Sequence, residues 1–145
     1  MTSMRRPRSA DRSVGGFLVW KDDYSVSVPE LDAQHRRLVV YINRLHDAMA
    51  SGQARDSLEP ILTGLVAYAR VHFAAEERLL ASCHYPDLPG QIAQHEAFTR
   101  KLAAFQKAYQ SGKGALSIAV MGFMKGWLVG HIQGSDKKYT PFLAS

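Results

Sequence analysis

Four histidines and two carboxylates of this chain have the types and spacings to hold a metal: His35, His72, Glu76, His95, His131 and Asp136. The densest stretch is HFAAEERLLASCHYPDLPGQIAQHEAF, residues 72–98. There His72 and Glu76 are four residues apart, as are Gln91 and His95. Residues four apart on a helix project from one face. A lone helical histidine is ordinarily exposed or hydrogen-bonded in a core, and His46 and His84 are read that way. Taken together the others call for a different reading. Several imidazoles and two carboxylates can be buried only when they are paired or coordinate a metal. Imidazole with carboxylate suits iron, zinc or manganese better than calcium or magnesium. Two carboxylates among several histidines suit a dinuclear site, because one carboxylate can bridge two cations. Glu76 is the expected bridge rather than Glu77, since it lies about 40° round the helix from His72 and Glu77 about 140°. The five-residue step from His131 to Asp136 puts these two about 140° apart on an ideal helix. The helix must therefore end or distort between them, which Gly134 eases.

Four helices are expected to carry these residues. SVPE, residues 27–30, has the pattern of a capping box, with Ser27 as N-cap and Glu30 three residues on. Pro29 suits a first turn. Helix A is expected over Pro29–Ala50, with Leu31, Leu38, Ile42, Leu45 and Met49 at helical spacing. Helix B is expected over Ser57–Ser82, helix C over Gln91–Gln110 and helix D over Ala115–Gln133. SGQARD, CHYPDLPG and SGKG separate them. Similar helices with short connections predict an antiparallel up-down four-helix bundle, whose interior is where bundles build metal sites. The absence of sustained alternation argues against a sheet. Residues 1–16 are expected to form a flexible basic arm. Residues 17–145 are expected to form the bundle domain, entered by an ordered extended lead-in over residues 17–28. In helix D, Gly122, Gly126, Gly130 and Gly134 recur every four residues. That row is either a seam for close packing or a soft stretch.

Composition limits the function. At 145 residues the chain suggests one domain. Its net charge is +5, but much of the excess sits in MRRPRSADR near the N-terminus. A nucleic-acid face needs basic residues spread over a folded element, so nucleic acid is not expected as a partner. The single Cys83 excludes an internal disulfide and a cysteine-based zinc site. No apolar run is long enough to span a membrane, and no apolar segment follows the basic N-terminus as in a secretory signal. A cytoplasmic location is expected. The ferritin-like di-iron pattern needs Glu-x-x-His on two helices. It does not occur here, and DAQH at residues 32–35 is the nearest approach.

The ordered set LDAQHRRL (31–38), HFAAEE (72–77), YP (85–86), QHEAF (94–98) and WLVGHIQGSDKKY (127–139) resembles the hemerythrin family, in particular its single-domain bacterial members. The likeness covers about residues 17–143. It implies a non-haem di-iron centre, two iron ions with an oxo or hydroxo bridge, that binds O2 reversibly at one iron. By position, His35 and His72 would hold the iron that takes O2, and His95 and His131 the other, with Glu76 and Asp136 bridging. Trp127 and Leu128 would wall the O2 pocket, a role compatible with plain core packing. Tyr139 matches an aromatic that follows the bridging Asp136 and would stand just outside the ligands. Asp32, read from its place in DAQH, either stands likewise outside the ligands or balances the dipole of the first helical turn.

The chain departs from the family at Gln91, where the pattern has a histidine. Either the Gln91 side-chain oxygen ligates weakly, water takes the place, or the amide hydrogen-bonds nearby; the reading adopted is water or a weak Gln91 ligand. The leading expectation is an O2-binding protein for carriage, storage or sensing. A sensor would need a protein partner, because no output domain is present. One alternative is a di-iron oxidase, peroxidase or NO-reactive enzyme that uses the extra open position. Another is a degenerate metal-binding interaction module.

Overall fold

A computed structural model describes residues 16–52, 55–112 and 118–143. Four long helical segments are present, and there is no strand among the described residues. Helix α1 spans Pro29–Ala50, α2 Arg55–Ser82, α3 Leu88–Gln110 and α4 Ile118–His131. A π-helical turn, Ile132–Asp136, joins α4 to α5, Lys137–Leu143. α1 packs on α2, α2 on α3 and α4 on α1, which closes the four-helix bundle expected from the sequence. Leu31, Leu38, Ile42 and Leu45 of α1 meet Leu62, Leu65 and Phe73 of α2, Phe98 and Leu102 of α3, and Met121 and Met124 of α4 in one buried core. The arm expected over residues 1–16 lies, save for Gly16, outside the described residues.

Several boundaries differ from the sequence reading. α3 begins at Leu88, three residues before Gln91, because Pro89 fits the first turn of a helix as well as it fits a break. The last helix does not stop at Gln133. It widens through the π turn and continues to Leu143. The capping box does not form. Val28 is the N-cap of α1 without a side-chain cap, and Ser27 sits at φ 61°, in the left-handed region. Asp32 takes over: it accepts from Val26 N at 2.8 Å and from Ser25 Oγ at 2.6 Å. Asp32 therefore ties the lead-in to α1 and accepts nothing from His35, whose Nδ1 has no hydrogen-bond partner among the described residues.

The lead-in is ordered but not simply extended. It contains a 3-10 turn at Asp22–Tyr24 and buries Leu18, Tyr24 and Val26 in the core. Buried Asn43 of α1 pins it, accepting from Leu18 N and donating to Leu18 O, both at 2.8 Å. The glycine row is not a seam. A Cβ built at Gly122, Gly126, Gly130 or Gly134 meets nothing within 4 Å.

Candidate metal centre

Each long helix sends inward the residue that its apolar face places there. His35 comes from α1, His72 and Glu76 from α2, Gln91 and His95 from α3, His131 from the end of α4 and Asp136 from the π turn, and all seven are buried. Two groups of ligand atoms form, each drawn together within 4.8 Å. One is His35, His72 and Glu76; the other is Glu76, His95, His131 and Asp136. His46 and His84 are elsewhere. His46 stacks on Phe17, and His84 is in the turn after α2 at φ 56°.

The two carboxylates divide their oxygens between the histidine pairs. Glu76 Oε2 lies 3.4 Å from His35 Nε2 and 3.7 Å from His72 Nε2, while its Oε1 lies 2.9 Å from His95 Nε2. Asp136 Oδ2 lies 3.2 Å from His35 Nε2, while its Oδ1 lies 3.0 Å from His131 Nε2. The π turn makes the last contact possible. A five-residue step on an α-helix would splay His131 and Asp136 by about 140°, and the wider turn brings both onto one face.

The outer nitrogens are tied down. His72 Nδ1–H donates to Gln34 Oε1 at 2.6 Å, His131 Nδ1–H to Gln94 Oε1 at 2.6 Å, and His95 Nδ1–H to Glu77 Oε2 at 2.8 Å. Ser135 Oγ also donates to Gln94 Oε1. With oxygen acceptors at Nδ1, these imidazoles turn Nε2 lone pairs toward the centre. His95 Nε2 and His131 Nε2 then face one another at 3.2 Å, two acceptors that only a cation or a proton can reconcile. His35 Nε2, Glu76 Oε1 and Asp136 Oδ2 are buried in close contact with neighbours but without aligned hydrogen bonds. This donor set fits a pair of cations.

The charges are tightly balanced. Burial pulls the His35 pKa down, but Asp136 and Glu76 beside it outweigh burial and hold it at about 9. Burial lowers His72 to about 4 against the pull of Glu76. Burial opposes ionisation of Glu76, yet His35 and His95 hold its pKa well below the usual carboxylate range. Asp136 is also lowered, with burial and Glu76 opposing and His131 and His35 prevailing. Tyr139 Oη donates to Glu76 Oε2 at 2.5 Å. Burial and the two carboxylates push the Tyr139 pKa far above the ordinary tyrosine range, so the hydroxyl keeps its proton. The sequence reading placed Tyr139 outside the candidate ligands without naming its partner, and its hydrogen bond goes to Glu76.

Gln91 stands beside the His95–His131 pair. Its Nε2 donates to Asp136 Oδ1 at 3.2 Å, and its Oε1 is buried without a hydrogen bond. Trp127 stacks on His131, with ring centroids 4.4 Å apart, and on Phe98 at 4.0 Å. It thus lies against the His95–His131 half rather than over His35 and His72. Leu128 is buried in the core. The sequence reading missed Gln34, Glu77, Gln94 and Ser135. Three of these had a signal: each is the chain neighbour of an inward candidate ligand, at His35, Glu76 and His95, and serves an imidazole of the adjacent helix.

Comparison with known proteins agrees with this geometry. The family described as Hemerythrin HHE cation binding domain matches residues 26–143. A bacteriohemerythrin of Stenotrophomonas maltophilia is 34% identical over 123 residues, covering 85% of this chain and 79% of that protein. A myohemerythrin of Riftia pachyptila is 33% identical over 121 residues, covering 83% and 89%. The crystal structure of a wild-type hemerythrin superposes with a TM-score of 0.85 at 29% identity, covering 89% of this chain and 99% of that one. Proteins of this family bind a di-iron centre. A match over residues 26–143, on a four-helix bundle whose carboxylates each face two histidine pairs, means that the chain belongs to the hemerythrin family.

Proposed function

We propose that this protein holds two iron ions in the bundle and binds O2 reversibly, for carriage, storage or sensing. The observation that carries the reading is the division of the Glu76 and Asp136 oxygens between two histidine pairs. His35 and His72 would hold one ion, His95 and His131 the other, and the two carboxylates both. Iron held there would supply the redox-active pair that binds O2. The rest is done by the chain. Gln34, Gln94 and Glu77 fix three imidazoles in the tautomer that presents Nε2. Tyr139 orients Glu76 by donating its proton to Oε2. Phe73, Trp127 and Leu128 keep the surroundings apolar, which excludes water and disfavours charge separation. The His35–His72 half has two imidazoles and two carboxylate oxygens, which leaves coordination room for a small diatomic or anionic ligand. The cytoplasm is the proposed setting. No helix among the described residues is long and apolar enough to cross a membrane.

A second reading rests on Gln91. With an amide where the family pattern has an imidazole, the His95–His131 half also keeps a place for an exchangeable ligand. Open positions distinguish catalytic metal sites from closed ones, and peroxidase or NO chemistry follows from that. Iron analysis together with absorption spectra of the reduced protein in air, and of the oxidised protein with azide, tests the first reading. Two irons per chain and a reversible O2 spectrum support it, and zinc or a single iron sinks it. Steady turnover of peroxide favours the second.

A further inference from the structure

Resting on the two-iron reading above, we infer that Glu77 is a positioning residue that fixes His95 and strengthens it as a donor, offsetting the imidazole missing at Gln91. Three of the four inward imidazoles have an acceptor at Nδ1. Those of His72 and His131 are the neutral amides of Gln34 and Gln94. His95 alone is given a carboxylate, Glu77 Oε2, at 2.8 Å. A carboxylate on the outer N–H fixes ring orientation and raises the basicity of the inner nitrogen, and such partners are commonly worth 10–100-fold in metal affinity. The anionic partner thus stands in the half of the centre that has two imidazoles and the amide of Gln91.

The placement follows from the helix. Glu77 is next in the chain to Glu76 and about 100° round α2, so it clears the interior and reaches the rim where α2 faces α3. It lines a surface cleft together with Arg70, Glu96 and Arg100, and His95 forms part of that cleft's wall. The His95 ring is held on its face as well. Phe73 stacks on it with centroids 4.0 Å apart and planes 6° apart. Between Phe73 on the face and Glu77 at the edge, the direction of His95 Nε2 is set. The Glu77 side chain is 29% exposed, so its charge is screened from distant groups. Its influence therefore passes through the one direct hydrogen bond.

The test uses the whole chain, stripped of metal and titrated anaerobically with Co(II). Competition against a chelator gives both affinities, and the visible absorption reports the geometry of each ion. The parent is expected to bind two ions. Glu77→Ala should weaken one of them by about 10–100-fold and change its absorption, leaving the other as in the parent. Glu77→Gln keeps an acceptor oxygen without the charge, and its affinity should fall between the two. Adding Gln91→His to Glu77→Ala should recover the lost affinity. Parent-like affinities in Glu77→Ala overturn the inference, as do equal losses at both ions or a loss that Gln91→His leaves unrecovered. If Glu77→Ala does not fold, Glu77→Gln decides by the same criterion. A parent that binds fewer than two ions sinks the two-iron reading itself, and that result is read before any variant.

Discussion

His131 Nε2 lies 3.0 Å from Asp136 Oδ1 although the two are five residues apart in one helical segment. The π turn at Ile132–Asp136 makes this possible by adding a residue to the turn, as π-bulges often do at functional sites. It also sets where the following residues arrive. Tyr139 comes three residues after Asp136, at the start of α5, with its hydroxyl on Glu76 Oε2. Tyr139→Phe keeps the ring and removes a hydrogen bond to an ionised acceptor. The metal-free protein should lose about 1.5–3 kcal/mol, read from urea unfolding. The loss should shrink once metal is bound, because cations then neutralise Glu76. An unchanged midpoint in the metal-free protein would show that Glu76 does not depend on the hydroxyl.

The glycine row gives a second expectation. Gly122 and Gly126 lie within α4 and face open space. Interior helical glycine is about 0.8–1 kcal/mol less favourable than alanine. Gly122→Ala and Gly126→Ala should each raise stability by roughly that amount, seen as a higher melting temperature. A fall in melting temperature would mean that something packs closely on this face after all.

That the candidate residues would be buried together was legible in the sequence, and the reason is periodicity. His72 with Glu76 falls on one face of one helix, and the need to bury them together is visible without coordinates. Glu77, Gln34 and Gln94 were not legible in the same way, because each acts across an interface on a neighbouring helix. A spacing rule within one helix had excluded Glu77 as the bridge without naming what it does instead. The pairing of Gln34 with His72 depends on how α1 and α2 pack, which a single helix does not specify. Ser27 and Glu30 matched a cap pattern by type alone. The backbone at Ser27 turns left-handed, its N–H donates to Ser25 Oγ, and Asp32 instead holds the lead-in through Val26 N and Ser25 Oγ. The need for a distortion between His131 and Asp136 could be deduced from the angle between them. Its form could not, since Gly134 suits a helix end as well as it suits a wider turn.

Proton linkage sets a third expectation. In the metal-free protein His35 has a pKa of about 9, above its ordinary 6.5. A group raised on folding stabilises fully below its unfolded pKa, and the contribution is lost as pH rises through the folded value. The metal-free protein should therefore weaken between pH 6.5 and 9. His95 is raised as well and acts in the same direction. Metal binding runs the other way, since ligands must be deprotonated and a cation must displace the His35 proton. Affinity should rise over the same interval. His72, lowered to about 4, is already neutral there and releases nothing. Melting temperatures of metal-free and loaded protein across this range check the point, and they should diverge as pH rises. Parallel curves would mean that His35 carries no proton in the metal-free state.

The Gln91 amide now donates to Asp136 Oδ1 at 3.2 Å, one turn ahead of His95. Gln91→His places an imidazole at that point, facing the His95–His131 half. Imidazole is a better donor to iron than a neutral amide, so the iron of that half should be held more tightly and exchange external ligands more slowly. The substitution also removes the hydrogen bond to Asp136 and brings no acceptor for the new outer nitrogen, which limits the gain. Outer partners alone are commonly worth 10–100-fold, and a ligand should be worth no less, so iron release to a chelator should slow by about tenfold or more. Autoxidation of the reduced protein in air should slow with it, because a closed position admits no water or anion. The measurements are the release rate and the autoxidation rate of variant and parent at one pH and temperature. Equal rates in the two proteins would show that Gln91 already does the work of the imidazole and that the His95–His131 half is not open.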